Sequence, residues 1–477
     1  MSLSHLGRDS DWSAVTAQVL GLGVAGYAAA DNLAFVGAHV VACDSADHEP
    51  LRQKARILRE LDVDVRLGQP LALEPGIDLL VVSPGLPPSH PVIEAAMAAG
   101  VEVWGELELA WRLRGEAAAP WLCVTGTNGK TTTTLMLESM LRAAGLRTVA
   151  AGNIGRSLIE VVMDPDGYDV IAVEVGAPQL PFVHSVSAHS AVCLNIAEDH
   201  IDFFGSMAGY IAAKSVLFER AERAIVYNAQ DRVTLAMAER AEVQEGCRAV
   251  GFTLEAPARG ELGVVEEFLV DRAFAPQMGE GEAIDLATLE DVQPFAKHNV
   301  ANALAAAALA RSFGVPREAV RQGLIDFQPA AHRVARVAEI DGVLYVDDSK
   351  ATNCHAAATA ISSFDRVVWI AGGDAKGQDF SELVKASAGR LAGAVLLGRD
   401  RELVRSALSA FAPEAAVVEV SESDPTAAMA AVVAAAREMA KPGDTVLLAP
   451  ACASWDMFQN YGHRGDLFTE SVTALGE

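Results

Sequence analysis

The chain has 477 residues, of which 51% are hydrophobic, and it carries a formal net charge of −26. At ~150 residues per domain this length predicts about three domains, and the apolar content excludes a disordered chain. The strong negative charge argues against a DNA- or RNA-binding protein, because nucleic-acid binding needs a basic face.

Targeting and redox signals are weak. No uninterrupted apolar run approaches the ~18 residues of a membrane span, and residues 1–13 do not have the pattern of a signal peptide. The six cysteines are scattered singly, without a C-x-x-C pair. A disulfide framework and a structural zinc site are therefore not expected, which favours the reducing cytoplasm.

The first segment has the pattern of a βαβ unit. A strand at residues 17–20 leads into the glycine-rich turn GLGVAG at residues 21–26 and an alanine-rich helix. A second strand ends at Asp44, and a third ends at Ser83. A helix N-terminus of this kind can hold a phosphate, and the acidic residue can accept ribose hydroxyls. For Ser83 alone, a plain turn is an equally good interpretation.

After a predicted linker at residues 112–119, an apolar run meets the loop TGTNGKT at residues 125–131, and a helix is predicted at residues 135–144. Glycines let backbone N–H groups surround phosphate oxygens, while a Lys and the following hydroxyl can contact the phosphates and Mg²⁺. Gly126 stands only three residues before Gly129, so the loop is shorter than the full P-loop pattern. The alternative is a strand–turn–helix connection with an incidental Lys130.

Apolar runs at residues 148–150, 170–175 and 191–195 predict a parallel sheet covered on both faces. Glu174 near one strand end is a candidate Mg²⁺ ligand or water orienter, or else a solvent-facing carboxylate. His200 follows the next strand and could coordinate a metal. Lys214 is either a surface lysine, a phosphate contact, or a carbamate that offers Mg²⁺ two oxygens.

Residues 248–294 predict a small β-rich excursion, after which a helix at residues 298–312 returns to the sheet. Asn299 and Asn302 share one face of that helix, where their amides could read a base edge or cap the helix start. A second domain boundary is predicted at residues 328–330. Arg333 follows it, where a guanidinium could reach a γ-phosphate.

The last segment again alternates strands and helices, which predicts another parallel sheet. Polar loops at residues 347–353, 372–377 and 449–454 follow three of its strands, and two of these loops hold lysines. That arrangement suits a dicarboxylic amino acid. The predicted fold is α/β with three domains: a Rossmann-like N-terminal domain (1–115), a P-loop-type central ATPase domain (116–328) and a Rossmann-like C-terminal domain (329–477).

Taken together and in this order, the motifs resemble the Mur ligases, the ATP-dependent enzymes that add amino acids during peptidoglycan assembly. The motifs are GTNGKTTT at 126–133, GNIG at 152–155, LNIAEDHIDF at 194–203, HNVANA at 298–303, HR at 332–333, DSKATN at 348–353, GGDAKG at 372–377 and PACASWDMF at 450–458. The shortened glycine loop is the form that this family uses.

The resemblance implies that D-glutamate is added to UDP-N-acetylmuramoyl-L-alanine through an acyl phosphate, by a cytoplasmic monomer. It implies five UDP-substrate-binding residues: Gly23, Asp44, Ser45, Ser83 and Asn153. The implied ATP-binding residues are Gly126, Thr127, Asn128, Gly129, Lys130, Thr131, Thr132, Asn299, Asn302, Arg333 and Asp348. The implied amino-acid-binding residues are Lys350, Thr352, Lys376, Ser454 and Tyr461.

The resemblance also implies a catalytic centre with two Mg²⁺ ions. Its catalytic residues would be Lys130, Glu174, His200 and Lys214. The metal would be held by Thr131, Glu174, His200 and a carbamylated Lys214. Hinges at residues 112–120 and 328–333 would let the domains close and exclude water from the acyl phosphate.

One stretch departs from the family pattern. Where the family usually reads Leu-Ser-Ser-Phe-Gln-Leu, this chain reads VGAPQL at residues 175–180. Two hydroxyls and an aromatic ring are missing, and Pro178 fixes φ and lacks an N–H. No role of those serines can be carried over, whereas Glu174 and Gln179 still match.

Other functions fit parts of the pattern. Another Mur enzyme or a folylpolyglutamate-type synthase would share the ATP-binding segment, although the GxGxxG turn with Asp44 favours the D-glutamate-adding type. A nicotinamide-dependent oxidoreductase would instead bind a reduced cofactor at residues 21–44. A nucleotide-switched binding protein would show no turnover.

Overall fold

The described residues form three β-sheets, each flanked by helices, and these are distributed over two compact units. The computed structural model describes residue 3 and residues 5–115, 118–329 and 332–475. The first unit, Met1–Phe327, contains two of the sheets, and the second, Gln328–Glu477, contains the third. The predicted α/β class with Rossmann-like flanking sheets is confirmed.

The N-terminal sheet has five parallel strands in the order β3-β2-β1-β4-β5, as in a dinucleotide-binding half-domain. The order reverses on either side of β1, so the loops after β1 and β4 flank a crevice. Its elements are β1 (Thr16–Leu20), α1 (Val24–Phe35), β2 (His39–Asp44), α2 (Glu49–Glu60), β3 (Asp64–Leu67), β4 (Leu79–Val82), α3 (Pro91–Ala98), β5 (Glu102–Trp104) and α4 (Glu106–Leu113).

The central sheet has nine strands in the order β14-β13-β12-β11-β10-β9-β6-β8-β7. Its first elements are β6 (Trp121–Thr125), α5 (Lys130–Ala143), β7 (Thr148–Gly152), α6 (Leu158–Met163), β8 (Val170–Glu174), β9 (Ser190–Cys193), α7 (Ile201–Phe204), α8 (Met207–Ser215), β10 (Ala224–Asn228) and α9 (Arg232–Arg240). Strand β6 is completely buried between β8 and β9, and all three run parallel. Their carboxyl ends therefore place three loops side by side.

The β-rich excursion predicted at residues 248–294 is present. It comprises β11 (Arg248–Phe252), β12 (Glu261–Val265), β13 (Phe268–Asp271) and β14 (Ile284–Thr288), and the last two pairings are antiparallel. The chain then returns through α10 (Lys297–Ser312) and α11 (Arg317–Asp326). Helix α11 approaches α5 so closely that a Cβ at Gly323 would lie 2.4 Å from the Cα of Met140.

The C-terminal sheet has six strands in the order β15-β16-β20-β17-β18-β19, and only β15 runs antiparallel to its neighbour. Its elements are β15 (Ala335–Ile340), β16 (Val343–Asp347), α12 (Cys354–Ser362), β17 (Val367–Ala371), α13 (Ser381–Ser387), β18 (Leu391–Leu396), α14 (Arg401–Phe411), β19 (Ala416–Glu419), α15 (Pro425–Met439), β20 (Thr445–Leu448) and α16 (Tyr461–Thr473). Strands β16, β20 and β17 are neighbours, so the three predicted polar loops share one edge.

Two predicted boundaries were wrong. The helix after the glycine loop begins at Lys130 rather than near residue 135, because the loop itself supplies the helix N-terminus. The predicted linker at 112–119 starts too early, since Arg112 still belongs to α4 and donates to Glu108 Oε1 at 2.8 Å, an i,i+4 pair. Residues 116–117 of that linker and residue 330 of the second boundary lie outside the described residues, as does residue 331 of the hinge predicted at 328–333.

All six cysteines lie in the described part of the chain and are free thiols. Over the same residues, none of the helices combines the length and the apolar character that a bilayer span requires.

A buried ion pair joins the excursion to the returning helix. Arg311 in α10 donates through Nε to Asp271 Oδ2 at 2.9 Å, and neither side chain is exposed. The other carboxylate oxygen accepts the backbone N–H groups of Ala273 and Phe274. Arg311 also pairs with Glu280, which is partly exposed, so removal of Asp271 leaves the buried guanidinium with only a partly solvated counter-charge. Breaking a buried pair typically costs about 3–5 kcal/mol.

We therefore expect Asp271→Ala to lower the free energy of unfolding by about 3–5 kcal/mol in urea denaturation. The control is Arg317→Ala, which removes a solvent-exposed pair with Glu318 and should change the stability little. Equal effects of the two substitutions would mean that the buried pair does not stabilise this unit.

Candidate active site

The glycine-rich loop connects the end of β6 to the start of α5. Gly126 and Gly129 have φ values of +150° and +84°, a region that side chains disfavour. A Cβ at Gly129 would also lie 2.4 Å from Oδ1 of the buried Asn302. The loop is therefore restricted to glycine at this position, and Asn302 of α10 lies directly beside it.

A second loop, residues 194–200 after β9, holds the glycine loop in place. The side chain of Asn195 accepts the N–H of Asn128 at 2.9 Å and donates to its carbonyl oxygen at 3.1 Å. The Thr127 hydroxyl contacts the backbone of Ala197 and the Tyr210 hydroxyl. Sequence reasoning assigned no role to Asn195 or Tyr210. Tyr210 lies one helical turn before Lys214, and this spacing was the signal in the sequence. The structure shows that its ring is buried.

The hydroxyl predicted to bind Mg²⁺ meets the strand-end carboxylate. Thr131 Oγ1 donates to Glu174 Oε2 at 2.6 Å, and both side chains are buried. The other carboxylate oxygen accepts Asn153 Nδ2 at 2.8 Å. A solvent-facing Glu174 is therefore excluded, and three of the predicted site residues lie in direct contact.

The side-chain amines of two lysines contact the same carbonyl oxygen of the glycine loop. Lys130 Nζ donates to the carbonyl oxygens of Gly126 and Thr127 at 2.9 and 2.8 Å. Lys214 Nζ donates to the same Gly126 oxygen at 2.9 Å and to Thr125 Oγ1 at 3.2 Å. Lys214 is buried in α8, so the interpretation as a surface lysine was wrong.

Burial is the main reason why the pKa of Lys214 falls to about 7, and the positive charge of Lys130 lowers it further. At neutral pH a substantial fraction of this amine is consequently unprotonated. Unlike an ammonium, an unprotonated amine can act as a nucleophile.

His200 is the N-cap residue of α7, with φ +54°, and the carboxylate of the preceding Asp199 lies 3.8 Å from its Nε2. The loop that carries His200 is the one bonded to the glycine loop. Among the described residues, no three His, Cys, Asp or Glu side chains form a metal-binding group. A metal site here would need hydroxyl, phosphate or modified-lysine oxygens as well, and the role of His200 stays a prediction.

Asn299 and Asn302 face each other near the start of α10. Asn302 Nδ2 donates to Asn299 Oδ1 at 3.3 Å, and Asn299 Nδ2 donates to the carbonyl oxygen of Pro294 at 2.9 Å. Neither amide occupies the N-cap, which is Ala296. The structure thus sets this pair beside the glycine loop, and adenine contact stays a prediction.

The departing stretch forms a tight 3-10 helix, Ala177–Phe182. Pro178 lies in its first turn, where a missing N–H costs nothing. Gln179 Oε1 accepts the N–H of Gly176 at 2.8 Å. A Cβ at Gly176 would be only 3.3 Å from the side chains of Asn153 and Gln179, so the glycine leaves room for both.

The N-terminal GxGxxG turn is organised around Asp44. Its carboxylate accepts the N–H groups of Leu22 at 2.7 Å and Ala46 at 2.9 Å. Ser83 Oγ donates to the carbonyl oxygen of Gly21 at 3.0 Å. Ser83 is therefore part of the GxGxxG turn's hydrogen bonding and is more than a residue of a plain turn. Gly23 on this turn and Ser45 directly after β2 are both exposed. Lys54 of α2, which sequence reasoning missed, donates to the Leu22 and Gly23 carbonyls.

In the C-terminal unit the loops after β16, β17 and β20 are bonded to one another. The N–H of Gly372 donates to the Pro450 carbonyl, and the N–H of Ala451 donates to the Ala351 carbonyl, each at 2.9 Å. Lys350 Nζ lies 3.8 Å from the centre of the Tyr461 ring. Thr352 and buried Ser454 are on these loops, and Lys376 is exposed with φ +47°.

Arg464 is a residue that sequence reasoning missed. Its guanidinium is completely buried and donates to Ser349 and to the carbonyl oxygen of Cys452, so it ties two of the loops together. The signal was a charge on the apolar face of α16, one turn before Leu467 and Phe468. Nearby, burial raises the pKa of Asp348 to about 7, against the opposing charge of Arg333.

Three family descriptions match consecutive parts of the chain. They are "Mur ligase MurD-like, N-terminal domain" at residues 15–105, "Mur ligase middle domain" at 124–310 and "Mur ligase, glutamate ligase domain" at 332–452. The chain belongs to the Mur ligase family, as the resemblance predicted.

Relatives are similar over almost their full length. A UDP-N-acetylmuramoylalanine–D-glutamate ligase of Streptomyces avermitilis is 54% identical over 98% of this chain and 100% of its own. The Thermobifida fusca protein of the same name is 53% identical over 96% of this chain and 98% of its own.

Solved structures share the fold at low identity. UDP-N-acetylmuramate–alanine ligase MurC of Thermotoga maritima superposes with a TM-score of 0.57 at 17% identity, covering 97% of this chain and 99% of its own. FolC of Escherichia coli superposes with a TM-score of 0.53 at 19% identity, covering 76% and 90%.

Gly129→Ala tests the loop geometry. The added Cβ requires Asn302 to move and places a side chain at φ +84°, so we expect nucleotide affinity measured by calorimetry to fall at least about ten-fold. Gly145→Ala is the matched control, because Gly145 has φ +79° but open space around it. It should lose a little stability and keep its nucleotide affinity. Equal nucleotide affinities in the two variants would contradict this account.

Proposed function

We propose that this chain joins D-glutamate to UDP-N-acetylmuramoyl-L-alanine with conversion of ATP to ADP and phosphate. This is the activity in the printed name of its relatives. The observation that carries the proposal is the contact of Thr131 with Glu174, because it sets a hydroxyl and a carboxylate at the start of the helix that follows the phosphate loop. The GxGxxG turn of the N-terminal sheet favours this ligase over relatives without that unit.

The residues present fit a magnesium–nucleotide complex. Thr131 and Glu174 offer hard oxygen ligands, and a modified Lys214 would offer two more. His200 would complete two metal sites. When bound, Mg²⁺ offsets the negative charge of the phosphates that the substrate carboxylate must approach.

The glycine loop supplies the rest of the phosphate site. The N–H groups of residues 126–132 would surround the phosphate oxygens, and the Lys130 ammonium would turn from the loop carbonyls to the phosphates. In a chain with a net charge of −26, such local cations must outweigh a repulsive overall field. Asn299 and Asn302 would contact the adenine, and Arg333 and Asp348 of the C-terminal unit would contact ATP elsewhere.

The two flanking domains would supply the other substrates. In this proposal residues 1–115 bind the UDP sugar at Gly23, Asp44, Ser45 and Ser83, with Asn153 reaching it from the central domain, residues 116–328. Residues 329–477 bind D-glutamate, whose two carboxylates suit Lys350 and Lys376. Thr352, Ser454 and Tyr461 line the same loops. A monomer in the cytoplasm stays a prediction.

The chemistry follows from the leaving group. A carboxylate cannot release oxide to an amine, so its phosphorylation to an acyl phosphate provides phosphate as a leaving group. The D-glutamate amine then attacks the acyl carbon, and phosphate departs from the tetrahedral intermediate. Lys130 would stabilise the phosphate charge during both steps.

Lys214 is proposed to act as a carbamate. Its amine is buried against the Gly126 carbonyl, and its pKa of about 7 leaves an unprotonated fraction. That amine can add to CO₂, and loss of one proton gives an anionic carbamate. The change replaces a cation beside Lys130 with an anion, which removes their repulsion and offers oxygens to Mg²⁺.

Phosphate release tests the proposed function. With ATP, Mg²⁺ and UDP-N-acetylmuramoyl-L-alanine, we expect release that depends on D-glutamate and is far slower with L-glutamate or other amino acids. Lys130→Ala should abolish it, and Lys385→Ala, at an exposed position, should not. If phosphate were released at the same rate with every amino acid, the assignment as a ligase would be wrong.

The carbamate makes its own prediction. Lys214→Ala should lose at least about a hundred-fold in activity and regain part of it with formate or acetate, since a small carboxylate can replace the missing oxygens. Lys130→Ala, which lacks a cation instead, should not be rescued. ¹³C-bicarbonate should give a carbamate NMR signal that Lys214→Ala lacks. A fully active Lys214→Ala protein would eliminate the proposal.

A further inference from the structure

Helix α4 of the N-terminal domain places a buried carboxylate in the central domain. Glu106, 5% exposed, accepts Ser157 Oγ at 2.7 Å and the N–H of Leu158 at 3.0 Å through Oε1. Its Oε2 accepts Gln179 Nε2 at 3.4 Å. The two domains are thus joined by a buried carboxyl group, and this burial raises the pKa of Glu106.

The amide of Gln179 has only one orientation that satisfies both of its neighbours. Its Oε1 accepts the N–H of Gly176 at 2.8 Å, so its Nε2 must face Glu106, which has only acceptors when ionised. Gln179 is itself 4% exposed, so water does not offer an easy replacement for either bond.

This series of hydrogen bonds leads from Glu106 to Glu174, the carboxylate that is proposed to bind the metal. Gly176 is two residues from Glu174 along the backbone, and its missing Cβ leaves room for Asn153, which donates to Glu174 Oε1. Asn153 N–H also donates to the Glu174 carbonyl at 2.9 Å. The backbone of residues 174–176 is therefore bonded from both sides.

We propose that Glu106 and Gln179 are positioning residues that hold the backbone beyond β8, and with it the Glu174 carboxylate, in the orientation the metal–nucleotide site requires. The inference rests on the proposed function, in which Glu174 binds Mg²⁺. These hydrogen bonds connect the domain proposed to bind the sugar nucleotide directly to the proposed ATP site. They also explain how a stretch without the two serines of the family pattern stays ordered.

Glu108 provides a matched control on the same helix. It is 0% exposed and also reaches into the central domain, where it accepts the N–H groups of His184 and Ser185 at 2.8 and 2.9 Å. These partners follow the 3-10 helix in the chain, whereas Gln179 lies within it. If Glu106 were only a domain tie, the two glutamates would be equivalent.

Glu106→Gln breaks the network in a defined way. If the oxygen of the new amide still accepts the hydrogen bonds from Ser157 Oγ and the N–H of Leu158, its Nε2 faces the Nε2 of Gln179. Two donors then oppose each other. If Gln179 turns over, its Nε2 then faces the N–H of Gly176 instead. Either way one buried bond is lost.

The double variant Glu106→Gln with Gln179→Glu restores every partner. The amide introduced at position 106 would then donate to the carboxylate introduced at position 179, whose other oxygen accepts the N–H of Gly176. Gln179→Met is a further variant that removes both bonds without opposing two donors.

The experiment measures Mg²⁺·ADP affinity by calorimetry, the Mg²⁺ concentration for half-maximal activity, and the midpoint of thermal unfolding. Glu106→Gln and Gln179→Met should weaken both metal-dependent quantities at least about five-fold, and the double variant should return them to within about two-fold of the wild type. Glu108→Gln should lower the unfolding midpoint and leave both metal-dependent quantities unchanged.

The inference is overturned if Glu106→Gln and Glu108→Gln affect Mg²⁺ dependence equally, or if the double variant does not recover. Failure of the proposed function is distinguishable. In that case the wild type itself shows no amino-acid-dependent phosphate release, while calorimetry still compares the variants.

Discussion

The amines of Lys130 and Lys214 both donate to a single carbonyl oxygen, that of Gly126. Burial lowers the pKa of Lys214, and the nearby positive charge of Lys130 lowers it further, so the two amines need not both be charged. An arrangement of this kind is stable only if neighbouring groups hold it. The bonds of Thr127 with Tyr210 and of Asn128 with Asn195 do so.

Sheet topology decides which groups can join those lysines. Because β6 lies between β8 and β9, the strand-end carboxylate of Glu174 and the loop bearing His200 are the immediate neighbours of the glycine loop. The same rule acts in the C-terminal unit, where β16, β20 and β17 place three polar loops at one edge. Buried Arg464 then fastens two of these loops, so their geometry depends on a residue that lies behind them.

The stretch after β8 shows how a family site tolerates altered chemistry. Loss of two serines and an aromatic ring is accompanied by a glycine that admits Asn153 and by a proline at the start of a short 3-10 helix. In this chain the N–H of Gly176 donates to Gln179, and Gln179 in turn donates to Glu106 of α4. Glu174 itself is held by Thr131 and Asn153.

Much of the protein was readable from its sequence. The alternation of apolar strands with helices determined the α/β class, and the glycine loop, Glu174 and the lysine-bearing loops were found because local backbone chemistry marks them. The start of α5, the burial of Lys214, and the roles of Tyr210, Arg464 and Glu106 were decided only by the tertiary structure. The physical reason is that burial and hydrogen-bond partners are set by segments far apart in the chain: Glu106 and Gln179 are 73 residues apart, and Lys214 and Gly126 are 88 apart. A pattern of neighbours along the chain carries no information on such pairs.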